Sequence, residues 1–213
     1  MLNYSGIPAY PVLVSTVDNG IPAFPNLGVF NRTDYEAHDF RTQIGTQAQT
    51  QYMGQLSDAI GAEISDYTCD KTDCSKPVTE TYAFTSDNYT EIIGGKMYIN
   101  LLLFFAQSQN PFALDHRLLP VYFGPPTQLR YTVNLEIPSG YTVESPPEAA
   151  TITTGENVCN FSFNIARADN RIQLTITQDT NRALVSSGFY PALREFYRKM
   201  VEKQQQKIVL KKA

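Results

Sequence analysis

Several residue types and patterns are scarce in this chain. Its 213 residues include no tryptophan, two histidines and three cysteines. Lys and Arg number 17 against 21 Asp and Glu, so the formal charge is −4, the wrong sign for a nucleic-acid binder. The longest apolar run, Leu101–Ala106, is far shorter than the roughly 20 residues that span a bilayer. We therefore expect no nucleic-acid partner and no transmembrane segment.

The composition is nevertheless that of a folded protein. Hydrophobic residues make up 42% of the chain and charged residues 18%, which is enough apolar surface for one core. The length suits one full domain and part of a second. Gly94 and Gly95 are read as a turn, because no phosphate-binding signature follows them. No cofactor is expected.

Most of the chain has the two-residue period of half-buried strands. Three runs alternate apolar and polar residues, and Ala168–Asn170 offers turn residues between the last two. These three should be neighbours in an antiparallel sheet, and the architecture predicted is a mainly β, antiparallel β-sandwich. The strands predicted are Ala9–Thr16, Ala62–Thr68, Val78–Thr85, Lys96–Leu103 and the runs around residues 130–137, 159–165 and 172–177. Pro11 favours an edge position for the first strand, because proline cannot donate to a ladder.

Two segments have helical spacing instead. From about Thr46, apolar residues recur every fourth position as far as Ile64, which predicts an amphipathic helix on the N-terminal side. A second helix begins near Pro191 and is followed by a short terminal strand at Ile208–Leu210. Basic residues near the end of this helix are interpreted as cations that complement its dipole, rather than as a membrane or phosphate site: Arg198, Lys199, Lys203 and Lys207.

The cysteines give weak signals. Cys69 and Cys74 lie between polar neighbours and could form a disulfide, or they could be free loop thiols. With Asp70 and Asp73 they resemble half of a zinc site, but no second ligand pair exists, so no metal is expected. Cys159 alternates with outward-facing Asn residues and should face the core as a small hydrophobic residue.

One polar loop is the candidate functional site. Asp115, His116 and Arg117 follow an Asn-Pro-Phe turn, and such a triple is either a functional loop or a solvated, salt-bridged corner. The other histidine, His38, is interpreted as a surface residue rather than a displaced base. No catalytic residue is assigned.

Several short sequence segments together resemble the C-terminal part of bacterial multidomain transglutaminase-like proteins. In that family a papain-like core is followed by a β-rich C-terminal domain of unknown function. These segments are Gly6–Thr16, Asn19-Gly20, Phe30-Asn31, Asn110–Phe112 with Arg117 and Pro120-Val121, Ile137–Glu144, Leu193–Tyr197 and Ile208–Lys212.

The resemblance implies a division of the chain. Residues 1–34 would be the remnant of the transglutaminase-like core, and residues 35–213 the C-terminal β-sandwich domain with flanking helices. The family's catalytic Cys would precede Met1. Its His commonly follows a Phe-Asn pair, where this chain has Arg32, a side chain that stays protonated and is no general base. Relatives are exported, which implies a periplasmic or cell-envelope location, although no signal peptide is visible at Met1.

Three functions follow as hypotheses. The first is a non-catalytic accessory or interaction domain that binds a protein partner. Its N-terminal strand should add to the sandwich or form a homodimer by strand addition. The second is a cysteine hydrolase or acyltransferase whose missing catalytic segment another chain supplies. The third is a glycan-binding β-sandwich, which the lack of tryptophan disfavours. The Tyr and Phe residues are more simply explained as core residues.

Overall fold

The fold was analysed in a computed structural model of the chain. It describes residues 11–16, 26–32, 53–54, 57–58, 60–70, 78–86 and 88–213, with backbone only at 11–16, 26–32, 69–70 and 78–80. The protein is mainly β, as predicted. The strands are β1 Pro11–Thr16, β2 Asn26–Arg32, β3 Glu63–Asp70, β4 Val78–Thr85, β5 Thr90–Ile93, β6 Lys96–Asn100, β7 Val121–Tyr122, β8 Thr127–Glu136, β9 Tyr141–Ser145, β10 Ala150–Thr153, β11 Cys159–Ala168, β12 Arg171–Thr180, β13 Leu184–Val185 and β14 Lys207–Lys212.

The strands form three sheets. The largest has eight strands in the order β10-β11-β12-β8-β1-β2-β4-β3, a second has four in the order β5-β6-β14-β9, and β7 pairs with β13 alone. The predicted neighbours β11, β12 and β8 are adjacent and antiparallel, and residues 169–170 form the turn between β11 and β12. The terminal strand β14 is confirmed, and it lies between β6 and β9.

Both large sheets contribute to one core. Alternate residues of β8, β11 and β12 are buried, including Phe161, Leu174 and Ile176, and they belong to the same apolar cluster as Ile99 and Ile208 of the four-stranded sheet. A sandwich-like arrangement of sheets around a shared core follows, in which the two-residue alternation of each strand separates buried from exposed side chains. The turn expected at Gly94-Gly95 joins β5 to β6, and both glycines have positive φ, 60° and 77°.

The C-terminal helix, α1 (Tyr190–Gln204), packs near β10 and β11. Pro191 lies in its first turn, as predicted, and its buried stripe includes Leu193, Phe196 and Met200. Within the described residues, no helix is both long and apolar enough to cross a bilayer.

The N-terminal-side helix is shown only in part. Residues 53–54, 57–58 and 60 are helical, and the other residues of the predicted segment before Ile60 lie outside the described ranges. Its predicted end was wrong. A turn at Gly61, where φ is 67°, ends the helix, and Ile64 belongs to β3. Ile64 fits both the four-residue and the two-residue period, and its pairing with Phe84 of β4 confirms the predicted strand Ala62–Thr68 at this position.

The first strand does not lie at an edge, which corrects the expectation drawn from Pro11. β1 pairs antiparallel with β2 and parallel with β8, so strands flank it on both sides. Proline is tolerated because Pro11 is the first residue of the strand, where a missing donor costs little. This strand joins the large sheet, one of the two pairings expected for it, and in this arrangement no edge of β1 remains for a second copy.

We expect Val14→Pro to loosen the large sheet, because Val14 lies in the middle of β1 opposite Gly28 and Val133. Proline there removes a ladder donor from an interior strand. Hydrogen–deuterium exchange of residues 130–134 should accelerate by about tenfold, which corresponds to roughly 1.4 kcal/mol. Val14→Thr keeps the N–H and should leave exchange unchanged; equal exchange in both variants would contradict the pairing of β1 with β8.

Candidate interaction surface

The segment from Asn110 to Phe123 is attached to α1 at its start. The Asn110 side chain accepts a hydrogen bond from the Phe112 N–H through Oδ1, at 2.9 Å. Its Nδ2 donates to the Arg194 carbonyl, also at 2.9 Å. Asn-Pro is a turn-forming pair, and here the asparagine amide bonds its own loop and the helix at once.

Aromatic rings hold the same turn against the helix. Phe112 is buried, and its ring meets Tyr190 and Tyr197 of α1 edge to face, with centroids 5.8 and 4.8 Å apart. Phe123 at the far end of the segment meets Phe112 at 6.1 Å. Edge-to-face pairs of this kind contribute about 0.5–1.5 kcal/mol each beyond area burial. Both ends of the segment are thereby tied to one aromatic cluster.

The polar triple predicted from the sequence lies in this segment. Asp115 forms an ion pair with Arg194 of α1 at 2.8 Å, and the Arg117 guanidinium lies 5.9 Å from the centre of the Tyr190 ring. The Tyr190 hydroxyl donates to the Leu114 carbonyl at 2.9 Å. His116 is exposed. The local geometry is a salt-bridged corner; a functional role for the triple stays a prediction.

Large apolar side chains project into solvent beside this corner. Leu118 is 89% exposed. Strand alternation turns Tyr122 and its partner Leu184 outward, while Val121 and Val185 of the same pair are buried. We call the five exposed side chains the leucine surface: Leu114, Leu118, Leu119, Tyr122 and Leu184.

The leucine surface is unusual because four of its five apolar side chains lie within one anchored segment, and the fifth, Leu184, lies on the strand paired with Tyr122. Single exposed hydrophobic residues need no explanation, but a cluster flanked by charged groups marks an interaction site. Sequence reasoning singled out the neighbouring polar triple and missed these residues. Leu118 and Leu119 are consecutive, and neither a two-residue nor a four-residue period predicts that both are exposed.

The described cysteine is unsuited to nucleophilic chemistry. Cys159 is buried, as predicted, and desolvation raises the pKa of its thiol to about 11, outweighing the opposing hydrogen bond with Thr180. The Cys69 side chain and all of Cys74 lie outside the described residues, so their predicted disulfide stays a prediction. Within the described ranges, no group of three His, Cys, Asp or Glu residues forms a cluster suited to a metal ion.

The outward face of the large sheet and the positions of the tyrosines bear on the hypothesis of a glycan-binding site. The outward face of the large sheet carries paired polar side chains, with Gln173 donating to Asn134 at 2.9 Å and Gln128 to Asp179 at 2.7 Å. Four tyrosines are core residues, as expected: Tyr82, Tyr131, Tyr190 and Tyr197. Tyr122 is the one tyrosine among the large apolar side chains described as exposed, so a stacking platform of several rings is not seen in this part of the chain.

Comparison with known proteins gives one family and one distant structure. Residues 95–210 match the family described as a domain of unknown function with a solved structure, DUF3858. A crystal structure of a candidate protease from Parabacteroides distasonis aligns with 46% of this chain and 19% of that protein, at 13% identity and a TM-score of 0.40. The aligned part of this chain thus spans about a fifth of that protein's length. No curated protein matches it significantly.

We expect Tyr190→Phe to loosen the anchored segment, because it removes the hydroxyl that donates to Leu114. The loss should lower the free energy of unfolding in urea by about 0.5–1.5 kcal/mol and accelerate hydrogen exchange in residues 114–119. Asp115→Asn, which breaks an exposed ion pair, should cost less than about 1 kcal/mol. A larger effect of Asp115→Asn than of Tyr190→Phe would contradict this ranking.

We also expect iodoacetamide to label Cys159 slowly in the native state, because its thiol is buried and its pKa is raised. A thiolate is the reactive form, so the native labelling rate should keep rising with pH beyond 8.5 or so, the usual thiol pKa. Mass spectrometry of labelled peptides checks this, with urea-unfolded protein as the fast control. Fast native labelling at neutral pH would revive the enzyme hypothesis.

Proposed function

This chain belongs to the DUF3858 family of domains of unknown function, and we propose that it is a non-catalytic interaction domain that binds another protein through the leucine surface. The observation that carries the proposal is a set of five exposed large apolar side chains. Four lie on a segment tied to α1 by hydrogen bonds and ring contacts, and the fifth, Leu184, lies on the strand paired with Tyr122. Because the segment is already ordered, a partner covering it would have little conformational entropy to remove.

The chemistry of the surface favours a folded protein over a membrane. Its rim carries Asp115 and the chain is net negative, which opposes binding to an anionic lipid surface. Leucine and tyrosine beside an arginine form the apolar centre and charged rim typical of protein interfaces. All five residues fall within 95–210, so the leucine surface is part of the family domain itself.

We propose further that the partner is a domain of a transglutaminase-like protein, for which this chain serves as accessory domain. The support is the resemblance of Asn110–Phe112, Pro120-Val121 and Ile137–Glu144 to the C-terminal part of such proteins. The same resemblance supports a periplasmic or cell-envelope location. The cysteine hydrolase alternative has less support, because Cys159 is not an activated thiol.

The test is site-specific photo-crosslinking in the native host. A photoreactive phenylalanine analogue at Leu118 should give a discrete crosslinked protein species. The same analogue at Ile92, which is also apolar and exposed but lies on β5, should not. Adding Leu119→Ser to the Leu118 probe should reduce the species at least about tenfold, as expected when a central interface side chain is lost.

The outcomes separate the alternatives. Leu119→Ser should change the free energy of unfolding by less than about 0.5 kcal/mol, because Leu119 is exposed, so a lost crosslink would report binding. A crosslink to a transglutaminase-like polypeptide supports both proposals. A crosslink between two copies of this chain, flotation with lipid vesicles dependent on Leu118, or equal crosslinking at Leu118 and Ile92 would each overturn the proposed interface.

A further inference from the structure

A second surface feature lies at the opposite end of α1. It is a pocket of about 410 Å³ between the β9–β10 connection and the turn from α1 to β14. Pro146 and Pro147 form its apolar wall, and Pro147 is buried. The remaining lining residues are polar or charged: Ser145, Glu148, Lys203, Gln206 and Lys207.

Lys203 is the unusual member of this pocket. Its side chain is only 9% exposed, although lysine is among the residues least often buried. Its Nζ donates to Gln206 Oε1 at 2.7 Å and lies 4.8 Å from the centre of the Phe163 ring. Lys203 lies in the last turn of α1, where a cation was expected, but the helix turns its side chain toward the core.

The positive charge of Lys203 lacks a close counter-ion. In the part of the chain that the structure describes, no carboxylate oxygen lies within ion-pair distance of its Nζ, whereas neighbouring Lys207 pairs with Glu91 at 2.7 Å. Glu148 attracts Lys203 only from a longer distance, and desolvation lowers the pKa of the ammonium. A buried ammonium without a paired anion is unfavourable, and an amide oxygen and a ring face offset that cost only in part.

We propose that this pocket binds a small organic monocarboxylate, with Lys203 supplying the charge that holds the carboxylate. The pocket is large enough for a ligand of a few heavy atoms. It opens beside Lys203, which among the described residues is the one cation that is buried and has no carboxylate partner. Local charge limits the ligand to a monoanion. Glu91 neutralises Lys207, and Glu148 in the lining repels a second negative charge, so a phosphate dianion fits less well.

Gln206 and the prolines complete the site. Gln206 Oε1 accepts from Lys203, which leaves the Gln206 amide Nε2 free to donate to the second carboxylate oxygen once the side chain swings toward the ligand. Pro146 and Pro147 offer apolar contact to the alkyl part of the ligand. The inference does not depend on the proposed protein interface, which lies at the other end of α1.

The test is an NMR titration of the full chain with acetate, propionate and inorganic phosphate. Propionate should bind saturably with a Kd on the order of 1 mM, the range open to so small a ligand, and shift the Gln206 side-chain amide. Phosphate should bind more weakly. Lys203→Met keeps the length of the side chain over Phe163 and should weaken propionate binding at least about tenfold.

Two further variants keep the test decisive. Glu148→Gln removes the repelling charge from an exposed rim and should tighten propionate binding about two- to threefold, whether or not Lys203→Met folds. Lys199→Met, an exposed site on the same helix, should leave binding unchanged. The proposal is overturned if no saturable shift occurs, if phosphate binds more tightly than propionate, or if Glu148→Gln fails to tighten binding.

Discussion

The attachment of α1 to the large sheet is the interaction on which the described surfaces depend. Leu193, Phe196 and Met200 bury one stripe of the helix in the common core, and this fixes both its position and its rotation. Its first turn then presents Tyr190 and Arg194 to the segment that carries most of the leucine surface, and its last turn brings Lys203 to the pocket that Pro147 also lines. A helix packed loosely would hold neither feature in place.

The strands with local partners were predictable from the sequence. β11 and β12 alternate strictly and are joined by a two-residue turn, so both pattern and pairing could be inferred. The position of β1 could not be predicted in this way. Its parallel pairing with β8 joins Val12 to Tyr131, and no local pattern encodes contacts between segments so distant in the chain. The rule for proline was sound, but it applies to the first residue of a strand as well as to edge strands.

The functional features were less predictable than the fold. Polarity and turn residues drew attention to Asp115, His116 and Arg117, and the structure shows an ion pair and a ring contact there. Leu118 is exposed and Lys203 is buried, which is the reverse of what each residue type suggests. Such inversions depend on packing across the whole fold. For Lys203, the one local signal was its spacing of three and seven residues from Met200 and Phe196, which places it on the buried face of α1.

The segment that matches the family does not contain the whole of the eight-stranded sheet. Residues 95–210 include β8, β10, β11 and β12, whereas β1, the strand beside β8, comes from far outside that segment. A polypeptide trimmed to the family segment would leave one side of β8 as a ten-residue unpaired edge, from Thr127 to Glu136. Open edges of that length recruit other strands, so such a fragment would be prone to aggregate. In this chain β1 covers residues 130–134 of that edge, so the first strand protects the family segment although it lies outside it.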